Sequence, residues 1–590
     1  MTDKKLKIQK VKGRAMLYWV GKKPIESVES YPAQLVETVG GVEPLETPSY
    51  DALEKDWRNL LFHGDNKEIL STLLTDGFRG KVDLIYIDPP FDSKADYVRK
   101  VELRGTKSKL EGEEQTAIEQ VQYEDIWAND NYLQFMYERL ILLRELLSEE
   151  GSLYLHCDWH KSHQLRYLLE EVFGSDKFIN EIVWKKYSGV KNQASKKLTT
   201  QTDTIFWVSK GDTYIFNPEY KGMSQDYIDA EYKYVDEDGR RYAKLRGRGY
   251  VDGKKTKIKY LDENLGAPIT SLWDDDDLQL NTSSAERTGY PTQKPEKLLE
   301  RIIRASSNEG SLVLDCFIGS GTAAAVAQRL GRRWIGADIN KGAIQTTMKR
   351  LQKLSEEQSE ASKVLHYRVN NYDFQQISAL RMVIMDKYGI EESKTDGYFD
   401  GTVGQRLVKI AELNKPITKL DAQGIIDELK NRPDEDRDIL LIGSGVEMGV
   451  ESLLAERQQL AGSINKIEVK DIQTDGVIVA EPAEADVSID RQGGKVAIKI
   501  NSYISPTIIK RLDLDRSIFG EHIRDFRAQI DTVMIDTDYD GEIFNVVHSD
   551  VPARKQDFVA GEYELDLPQG SARVAVKITD MLGEETVIVG

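Results

Sequence analysis

The chain has 590 residues, of which 40% are hydrophobic and 30% are charged, and its formal net charge is −19. This length exceeds what one hydrophobic core supports and predicts about three to four domains. Two cysteines exclude a disulfide framework and a cysteine-rich zinc site. No stretch approaches the roughly 18 consecutive apolar residues of a membrane helix, and no apolar run follows the lysine-rich start, so we expect a cytoplasmic chain without a signal peptide.

The negative charge is concentrated in the last third of the chain. Residues 371–590 hold 25 Lys and Arg against 41 Asp and Glu, whereas residues 1–370 hold 55 against 58. The nearly neutral first part is compatible with nucleic-acid binding. The acidic part is typical of a protein-binding or DNA-mimicking regulatory module.

Strands and helices alternate from residue 59 to about 185. The hydrophobic patterns predict strands at 59–65, 81–87 and 151–158, and helices at 66–74, 131–147 and 160–174. The near-continuous apolar run at 81–87 indicates a sheet that is covered on both faces.

The alternation stops over residues 186–285, which are polar and basic, and then returns. It predicts helices at 295–307, 321–331 and 341–358, and strands at 311–317 and 332–340. We therefore predict one α/β domain in two halves, 59–185 and 286–358, interrupted by an insertion at 186–285. Residues 1–58 would form an N-terminal extension and residues 359–590 an acidic α+β C-terminal region.

The stretch LVLDCFIGSGTAAAVAQRLGRRWIGADIN (312–340) combines a strand, a glycine-rich turn, a helix and a second strand that ends in an acid. Gly319 and Gly321 allow a sharp turn and a close approach to a ligand, which a Cβ would block. Asp315 and Asp338 stand at strand ends, and Asp338 is placed to bind ribose hydroxyls. The run FIGSGT matches neither GxGxxG nor the GK[ST] of a phosphate-binding loop. It favours an adenosine-containing ligand without a pyrophosphate, such as S-adenosylmethionine, over a turn that only packs a strand on a helix.

A second motif, Asp88-Pro89-Pro90-Phe91, ends the strand at 81–87. The Asp88 carboxylate and the Pro89 carbonyl can each accept one N–H of a target amine. The prolines stiffen the turn and remove backbone donors. Phe91 offers a ring on which a base taken out of a duplex can stack. The alternative is a proline-rich strand terminator without chemistry.

These two motifs resemble those of the DNA amino-methyltransferases, which carry a D/N/S-P-P-Y/F motif and an FxGxGT cofactor loop. DPPF precedes the insertion, and PTQKPEKLLERII and FIGSGT follow it, an order similar to the circularly permuted β class and to the Mod subunits of type III restriction–modification systems. The resemblance covers about residues 59–358. It implies a Rossmann-like fold, S-adenosylmethionine as cofactor, double-stranded DNA as substrate, and no metal.

The resemblance also implies the site residues. The catalytic motif would be Asp88, Pro89, Pro90 and Phe91, with Phe where Tyr is commoner. The cofactor site would comprise the loop and strand-end residues together with the acid beside the cofactor adenine and the segment at its methionine end: Asp315, Phe317, Gly319, Ser320, Gly321, Thr322, Asp338, Asp65, Thr292, Lys294 and Pro295.

Asp in the first motif position favours adenine-N6 over cytosine-N4 as the target, because the N4 members usually carry Ser there. Both reactions proceed by direct attack of the amine on the methyl group. A C5-cytosine mechanism needs a Pro-Cys nucleophile, and neither Cys157 nor Cys316 follows a proline. His156, His160 and His163 need not converge, so we expect a structural role for them rather than a metal site.

The insertion carries the predicted DNA contacts. RRYAKLRGRGYVDGKKTKIKY (240–260) holds nine Lys and Arg and three tyrosines. Such a run is suited to phosphate contacts, although a basic run is also typical of a solvated face. The candidate residues are Arg240, Arg241, Lys244, Arg246, Arg248, Lys254, Lys255, Lys257 and Lys259.

The sequence thus predicts a DNA adenine-N6 methyltransferase of a restriction–modification or phage-defence system. The alternatives are an N4-cytosine enzyme of the same architecture, and a DNA-recognition subunit for a helicase or nuclease partner. By analogy with Mod subunits we expect a homodimer and a restriction-subunit partner.

Overall fold

The computed structural model describes most of the chain, in ranges separated by gaps. The described residues are 6–7, 16–19, 22–28, 30–90, 100–104, 109–111, 131–187, 198–245, 257–280, 284, 286–290, 292–358, 362–369, 381, 384–385, 387–393, 396–411, 417–443, 446, 450–459, 464–472, 483–511, 525–552 and 556–590. The predicted site residues that lie outside them are Phe91, Arg246, Arg248, Lys254 and Lys255.

Eleven strands of the described residues form one central sheet. In chain order they are β1 Ala33–Val39, β2 Asn59–His63, β3 Val82–Ile87, β4 Leu147–Cys157, β5 Phe178–Lys185, β6 Thr202–Ser209, β7 Leu272–Trp273, β8 Leu312–Asp315, β9 Arg333–Asp338, β10 Val364–Val369 and β11 Phe544–Val546. Their spatial order is β7-β5-β6-β4-β3-β8-β9-β2-β10-β1-β11.

The middle of this sheet is parallel. Strands β4, β3, β8, β9, β2 and β10 run in one direction, and β6 joins β4 antiparallel. The parallel pairing sets Ile85 of β3 opposite Leu314 of β8. The strand that ends in Asp88-Pro89-Pro90 and the strand that leads into the glycine loop are therefore direct neighbours, and both open at the same edge of the sheet.

Helices cover both faces of the sheet. Helices α1 Asn66–Thr75, α2 Asn131–Leu146 and α3 Ser162–Phe173 supply one buried cluster, and α4 Glu296–Ser306, α5 Thr322–Arg329 and α6 Lys341–Gln358 supply the other. Within β3 the side chains alternate, since Ile85 belongs to the first cluster and Leu84 to the second. The α/β, Rossmann-like prediction is confirmed, and the predicted elements of 59–185 and 286–358 lie within a few residues of the observed ones.

The predicted boundaries differ from this sheet in three places. Strands β6 and β7 lie inside the predicted insertion 186–285, although β6 pairs with β4 and β5, and β7 pairs with β5. Strand β1 lies inside the predicted N-terminal extension, and β10 and β11 lie inside the predicted C-terminal region. Strands β1, β10 and β11 pair with partners that are distant in the chain, so local patterns do not reveal their sheet.

The described part of the insertion forms small β elements beside the sheet. Tyr220–Lys221 pairs with Ala267–Pro268, and a short helix spans Gln225–Glu231. Three antiparallel strands, Tyr234–Val235, Arg241–Leu245 and Lys257–Tyr260, form a separate sheet.

The described part of the C-terminal region contains two units. The first has strands Glu391–Glu392, Gly401–Val403, Arg406–Ile410, Ile439–Gly443 and Ile467–Asp471 with helices Lys419–Lys430 and Val450–Gln459. The second, which we call the C-terminal β unit, has strands Glu484–Gln492, Lys495–Ile504, Ile530–Asp536, His548–Asp550, Glu562–Asp566, Ala575–Asp580 and Glu585–Val589, and helix Pro506–Arg511. Its two antiparallel sheets share one hydrophobic core.

The remaining elements are short. They are strands Leu6–Lys7, Ser27–Val28, Lys100–Glu102 and Lys109–Glu111, helix Tyr50–Leu53, and 3-10 turns Ser175–Lys177, Asp276–Leu278 and Phe526–Gln529. Within the described ranges, no helix has the length and apolar character needed to cross a membrane.

Candidate active site

Asp88 stands directly after β3, at the edge of the sheet where β8 and β9 also end. Its side chain is 15% exposed. One carboxylate oxygen, Oδ2, accepts a hydrogen bond from the ammonium group of Lys294. The other, Oδ1, is buried and meets no donor among the residues that the structure describes. This oxygen can therefore accept a hydrogen bond from a ligand that reaches it.

Lys294 links the catalytic motif to the glycine loop. Its ammonium contacts Asp88 and the carbonyl of Thr292, the latter at 3.4 Å. Its own carbonyl accepts a hydrogen bond from the Thr322 hydroxyl at 3.2 Å. Sequence reasoning placed Thr292, Lys294 and Pro295 at the methionine end of a cofactor and missed the contact of Lys294 with Asp88. The segment as observed lies between both motifs, just before α4.

The glycine loop turns in the left-handed region of backbone space, where L side chains are strained. Gly319 has φ 50° and Gly321 has φ 72°. A Cβ on Gly321 would lie 2.7 Å from Oγ1 of Thr347, and one on Gly319 would lie 3.2 Å from the ring of Tyr290. Glycine is therefore required at both positions by conformation and by space, so that α6 and the loop can pack closely.

Two buried carboxylates accept hydrogen bonds from the backbone of the glycine loop. Asp315 accepts the backbone N–H of Phe317 at 3.0 Å. Asp338 accepts the N–H of Gly319 at 2.9 Å and that of Asn340 at 2.9 Å. Burial raises the pKa of Asp338 to about 6. Burial also raises the pKa of Asp315 well above its ordinary value, opposed by the hydrogen bond from Phe317.

A buried arginine also donates hydrogen bonds to the glycine loop. Arg350 of α6 donates to the Ser320 carbonyl at 3.1 Å and to the Thr322 hydroxyl at 2.9 Å, and it is paired with Glu296 at 2.7 Å. Sequence reasoning missed Arg350. The sequence could have indicated it, because an arginine on the apolar face of a helix becomes buried and then needs a polar partner.

Asp65 lies beside these strand ends. Gly64, between β2 and α1, donates its N–H to the Asp338 carbonyl at 3.1 Å, which sets the two strand ends side by side. Asp65 caps α1 by accepting the Lys67 N–H at 2.7 Å, and it is paired with the buried Arg139 at 2.9 Å. Sequence reasoning missed Arg139 as well. The carboxylate of Asp65 is therefore fixed in orientation while 32% of the side chain stays exposed.

Below Asp88, buried polar groups form a connected chain. The Tyr86 hydroxyl contacts Nδ1 of His156 at 3.0 Å, and Nε2 of His156 lies 3.5 Å from Asp203. Although burial opposes it, the contacts with His156 and Lys186 lower the pKa of Asp203. His160 contacts Asp158 instead, at 2.6 Å. No group of three or more metal-ligating side chains occurs in the described ranges.

Both cysteines are buried, Cys157 in β4 and Cys316 directly after β8. Burial raises the pKa of each thiol far above its ordinary value. A thiolate nucleophile is therefore disfavoured at either position.

The predicted DNA-contact residues within the described ranges lie on the three-stranded sheet of the insertion. Arg240 is paired with Asp262 at 2.7 Å and Glu263 at 2.8 Å, and Arg241 with Asp229 at 2.9 Å. Their charges are thus partly neutralised. Lys259 is exposed, and Lys257 begins its strand.

One face of that sheet carries a feature that sequence reasoning missed, an aromatic ladder of Tyr234, Tyr242 and Tyr260. Pairing sets Tyr242 opposite both other tyrosines. The ring centroids of Tyr234 and Tyr242 are 5.5 Å apart and nearly parallel, and those of Tyr242 and Tyr260 are 6.0 Å apart. Lys244 lies 4.1 Å over the Tyr234 ring. Aromatic rings beside cations form a surface on which bases can stack.

Comparison with known proteins gives matches over the same part of the chain. A family model described as "DNA methylase" matches residues 82–349. The type II methyltransferase M.EcaI of Enterobacter cloacae is 30% identical over 331 residues, covering 50% of this chain and 69% of that protein.

Two further matches are more distant. A probable type III restriction-modification enzyme HindVI Mod subunit of Haemophilus influenzae is 25% identical over 418 residues, and the match spans 52% of this chain and 52% of that subunit. A crystal structure of an M1.HpyAVI–SAM complex is 19% identical with a TM-score of 0.29, covering 50% of this chain and 98% of that one.

Proposed function

Since the chain belongs to the family of DNA methylases, we propose that it transfers a methyl group from S-adenosylmethionine to the N6 amine of an adenine flipped out of duplex DNA. The observation that carries this proposal is the adjacency of Asp88 and the glycine loop. They follow neighbouring parallel strands and are joined through Lys294. The amine acceptor, Asp88, and the glycine loop that would bind the adenosine therefore lie next to each other.

The residues present fit S-adenosylmethionine. The turn at Gly319 and Gly321 keeps side chains away from the ligand, and Asp338 and Asp65 offer carboxylate oxygens for hydroxyl and amine donors. We propose Asp315, Phe317, Ser320, Thr322, Thr292, Lys294 and Pro295 as further members of this site. When bound, the cofactor supplies a methyl group made electrophilic by its sulfonium.

The chain's own residues would then orient the nucleophile. The target amine would donate one N–H to Oδ1 of Asp88, which accepts from no described residue, and the other to the Pro89 carbonyl, so that its lone pair would be left for the methyl carbon. The amine nitrogen would gain positive charge on accepting the methyl group, while the sulfur of the cofactor would leave as a neutral thioether. Asp88 would stabilise this charge, and the nitrogen would release one proton to water. Pro90 stiffens the turn, and Phe91 would stack the flipped base.

DNA would approach through the insertion. We propose that Lys244, Lys257 and Lys259 contact phosphates and that the aromatic ladder stacks on an exposed base. Arg240 and Arg241 could contribute only after exchanging their present carboxylate partners. Arg246, Arg248, Lys254 and Lys255 are proposed from the basic sequence alone.

The target base is tested by modified-base sequencing of DNA from cells that express the chain, beside an Asp88→Ala control. N6-methyladenine in one short motif, absent from the control, is the expected result. N4-methylcytosine instead would contradict the adenine assignment and establish the cytosine alternative. If DNA from cells with either chain carries no modified base, the proposal that this chain methylates DNA without a partner is contradicted.

The likeness to a Mod subunit supports a restriction-type partner, a homodimer and a cytoplasmic site of action. Affinity purification of the full chain should recover an ATPase or nuclease subunit, and its mass in solution should be that of a dimer. Purification of the chain alone, as a monomer with full activity, would contradict both.

A further inference from the structure

Arg104 is anchored in the C-terminal β unit, although it follows Asp88 by only sixteen positions in the chain. It is 6% exposed. Its Nε donates to the Ile530 carbonyl at 3.1 Å, and its Nη1 to the Asp557 carbonyl at 3.3 Å. Its Nη2 donates to the carbonyl and carboxylate of Asp531, at 3.2 and 2.7 Å. Its backbone N–H donates to the Ala528 carbonyl at 3.1 Å.

The residue before it is held in the same place. Leu103 is 2% exposed and packs with Ile508, Ile509 and Ala528 in one hydrophobic cluster. The anchor thus combines apolar burial with charge-assisted hydrogen bonds, which are stronger than neutral ones. Because a lysine offers no planar fork of donors, the position is specific for arginine.

The carboxylate that receives Arg104 also reaches the cofactor half of the site. Asp531 forms an ion pair with Lys349 of α6. On the same helix Thr347 donates to the Gly319 carbonyl at 3.2 Å, and Arg350 holds the other end of the glycine loop. A single side chain of the C-terminal β unit is therefore bonded to the segment after the catalytic motif and to the helix that backs the cofactor loop.

We infer that Arg104 is a positioning residue for methyl transfer, and that the C-terminal β unit is a working part of the methyltransferase. This inference rests on the function proposed above. Nine residues, 91–99, separate Pro90 from the strand Lys100–Glu102, and Phe91 is the first of them. Because nine residues span only a limited distance, fixing Leu103 and Arg104 on the C-terminal β unit limits the positions that the chain directly after Pro90 can reach. Release of Arg104 should therefore slow methyl transfer and leave cofactor binding unchanged.

The test compares Arg104→Ala and Arg104→Lys with a matched control, Lys577→Met. Lys577 is also a buried cation of the C-terminal β unit bonded to an acid of the catalytic part, Glu37 at 2.7 Å. It touches neither the segment 100–104 nor the glycine loop in any contact of the described residues. Hydrogen exchange of the peptide containing 100–104, S-adenosylmethionine affinity and single-turnover methylation are measured for each full-length chain.

For Arg104→Ala we expect exchange in 100–104 to accelerate about tenfold and methylation to slow about tenfold or more, with cofactor Kd within about twofold of wild type. Arg104→Lys should lie between the alanine variant and wild type. Lys577→Met should leave both the exchange and the rate near wild type. Equal slowing by Lys577→Met and Arg104→Ala would overturn the positioning role, because the effect would then come from general loosening of the interface.

The two proposals fail in different ways. A wild-type chain that binds the cofactor but methylates no DNA contradicts the proposed function, and the exchange experiment still decides whether Arg104 fixes the segment. An active wild-type chain whose Arg104→Ala variant shows unchanged exchange or an unchanged rate overturns the inference alone. If the alanine variant does not fold, Arg104→Lys supplies the same comparison.

Discussion

The ammonium group of Lys294 donates a hydrogen bond to the carboxylate of Asp88, across a sequence separation of 206 residues. The pair fixes one oxygen of Asp88, and the other is buried and accepts from no donor among the described residues. It also ties the catalytic motif to α4 and, through Thr322, to the glycine loop. The orientation of the acid therefore depends on the second half of the catalytic part of the chain.

Replacement of Lys294 by Met should slow methyl transfer more than it weakens cofactor binding. The reason is that the lost partner orients Asp88, and an unpaired, mostly buried carboxylate is costly. We expect a rate about 100-fold lower with cofactor Kd changed less than about fivefold, and partial recovery in Lys294→Arg. Single-turnover methylation and calorimetric titration measure the two effects. A large loss of cofactor affinity at unchanged rate would instead support the methionine-end role that the sequence implied.

Replacement of Gly321 by Ala should weaken cofactor binding. The new Cβ meets Thr347 at 2.7 Å and adopts a left-handed conformation. Gly331→Ala is the matched control, since Gly331 also has φ 72° but its nearest neighbour is the side chain of Glu309, at 3.1 Å. Both variants should lose about 1–2 kcal/mol of unfolding free energy, while only Gly321→Ala should lose cofactor affinity, by about tenfold or more. Equal cofactor binding by the two variants would rule out the loop as the adenosine cradle.

Cofactor binding should weaken as the pH falls through about 6. Burial raises the pKa of Asp338 from 3.8 to about 6. Between these values the folded chain holds a proton that the unfolded chain has released, so this group makes the fold less stable as the pH rises through the window. Cofactor affinity changes with pH in the opposite direction and rises as the pH rises, because only the ionised carboxylate accepts hydrogen bonds from both the loop and a ribose hydroxyl.

We expect the cofactor Kd to rise about tenfold between pH 7 and pH 5, as one proton is taken up. Asp338→Asn should bind more weakly at pH 7 and lose this pH dependence. Titrations at several pH values provide the measurement. A dependence that persists in Asp338→Asn would assign it to another group.

Loss of the central rung of the aromatic ladder should weaken DNA binding. Tyr242 contacts both neighbouring rings, so Tyr242→Ala removes stacking worth about 1–3 kcal/mol. Tyr227→Ala is the control, because Tyr227 is an exposed tyrosine of the insertion that belongs to the helix Gln225–Glu231 and not to the ladder. Fluorescence anisotropy with duplex DNA at fixed salt compares the two. Equal affinities would remove the ladder from the DNA interface.

The strands and helices of the catalytic part could be read from the sequence because their apolar periods are strong and their ends carry Gly, Pro or Asp. DPP and FIGSGT also indicated which strands end at the site. The pairings of β6, β10 and β11 could not be predicted, since the pattern of a strand does not identify a partner from another part of the chain. The same holds for Lys294, Arg139 and Arg350, whose partners come from distant parts of the chain. Long-range ionic contacts depend on the fold and leave no local pattern.

Strand β11 lies parallel to β1 at one edge of the central sheet, and Thr38 bonds to Asn545 across a separation of 507 residues. During synthesis this edge stays open until almost the whole chain has emerged. At about 5–20 residues per second, the wait is roughly 25–100 s. Throughout that time β1 presents unpaired backbone groups to other nascent chains. The last strand of the central sheet to be translated thus protects the first one, and termination before β11 would leave an aggregation-prone product even though both catalytic motifs are already complete.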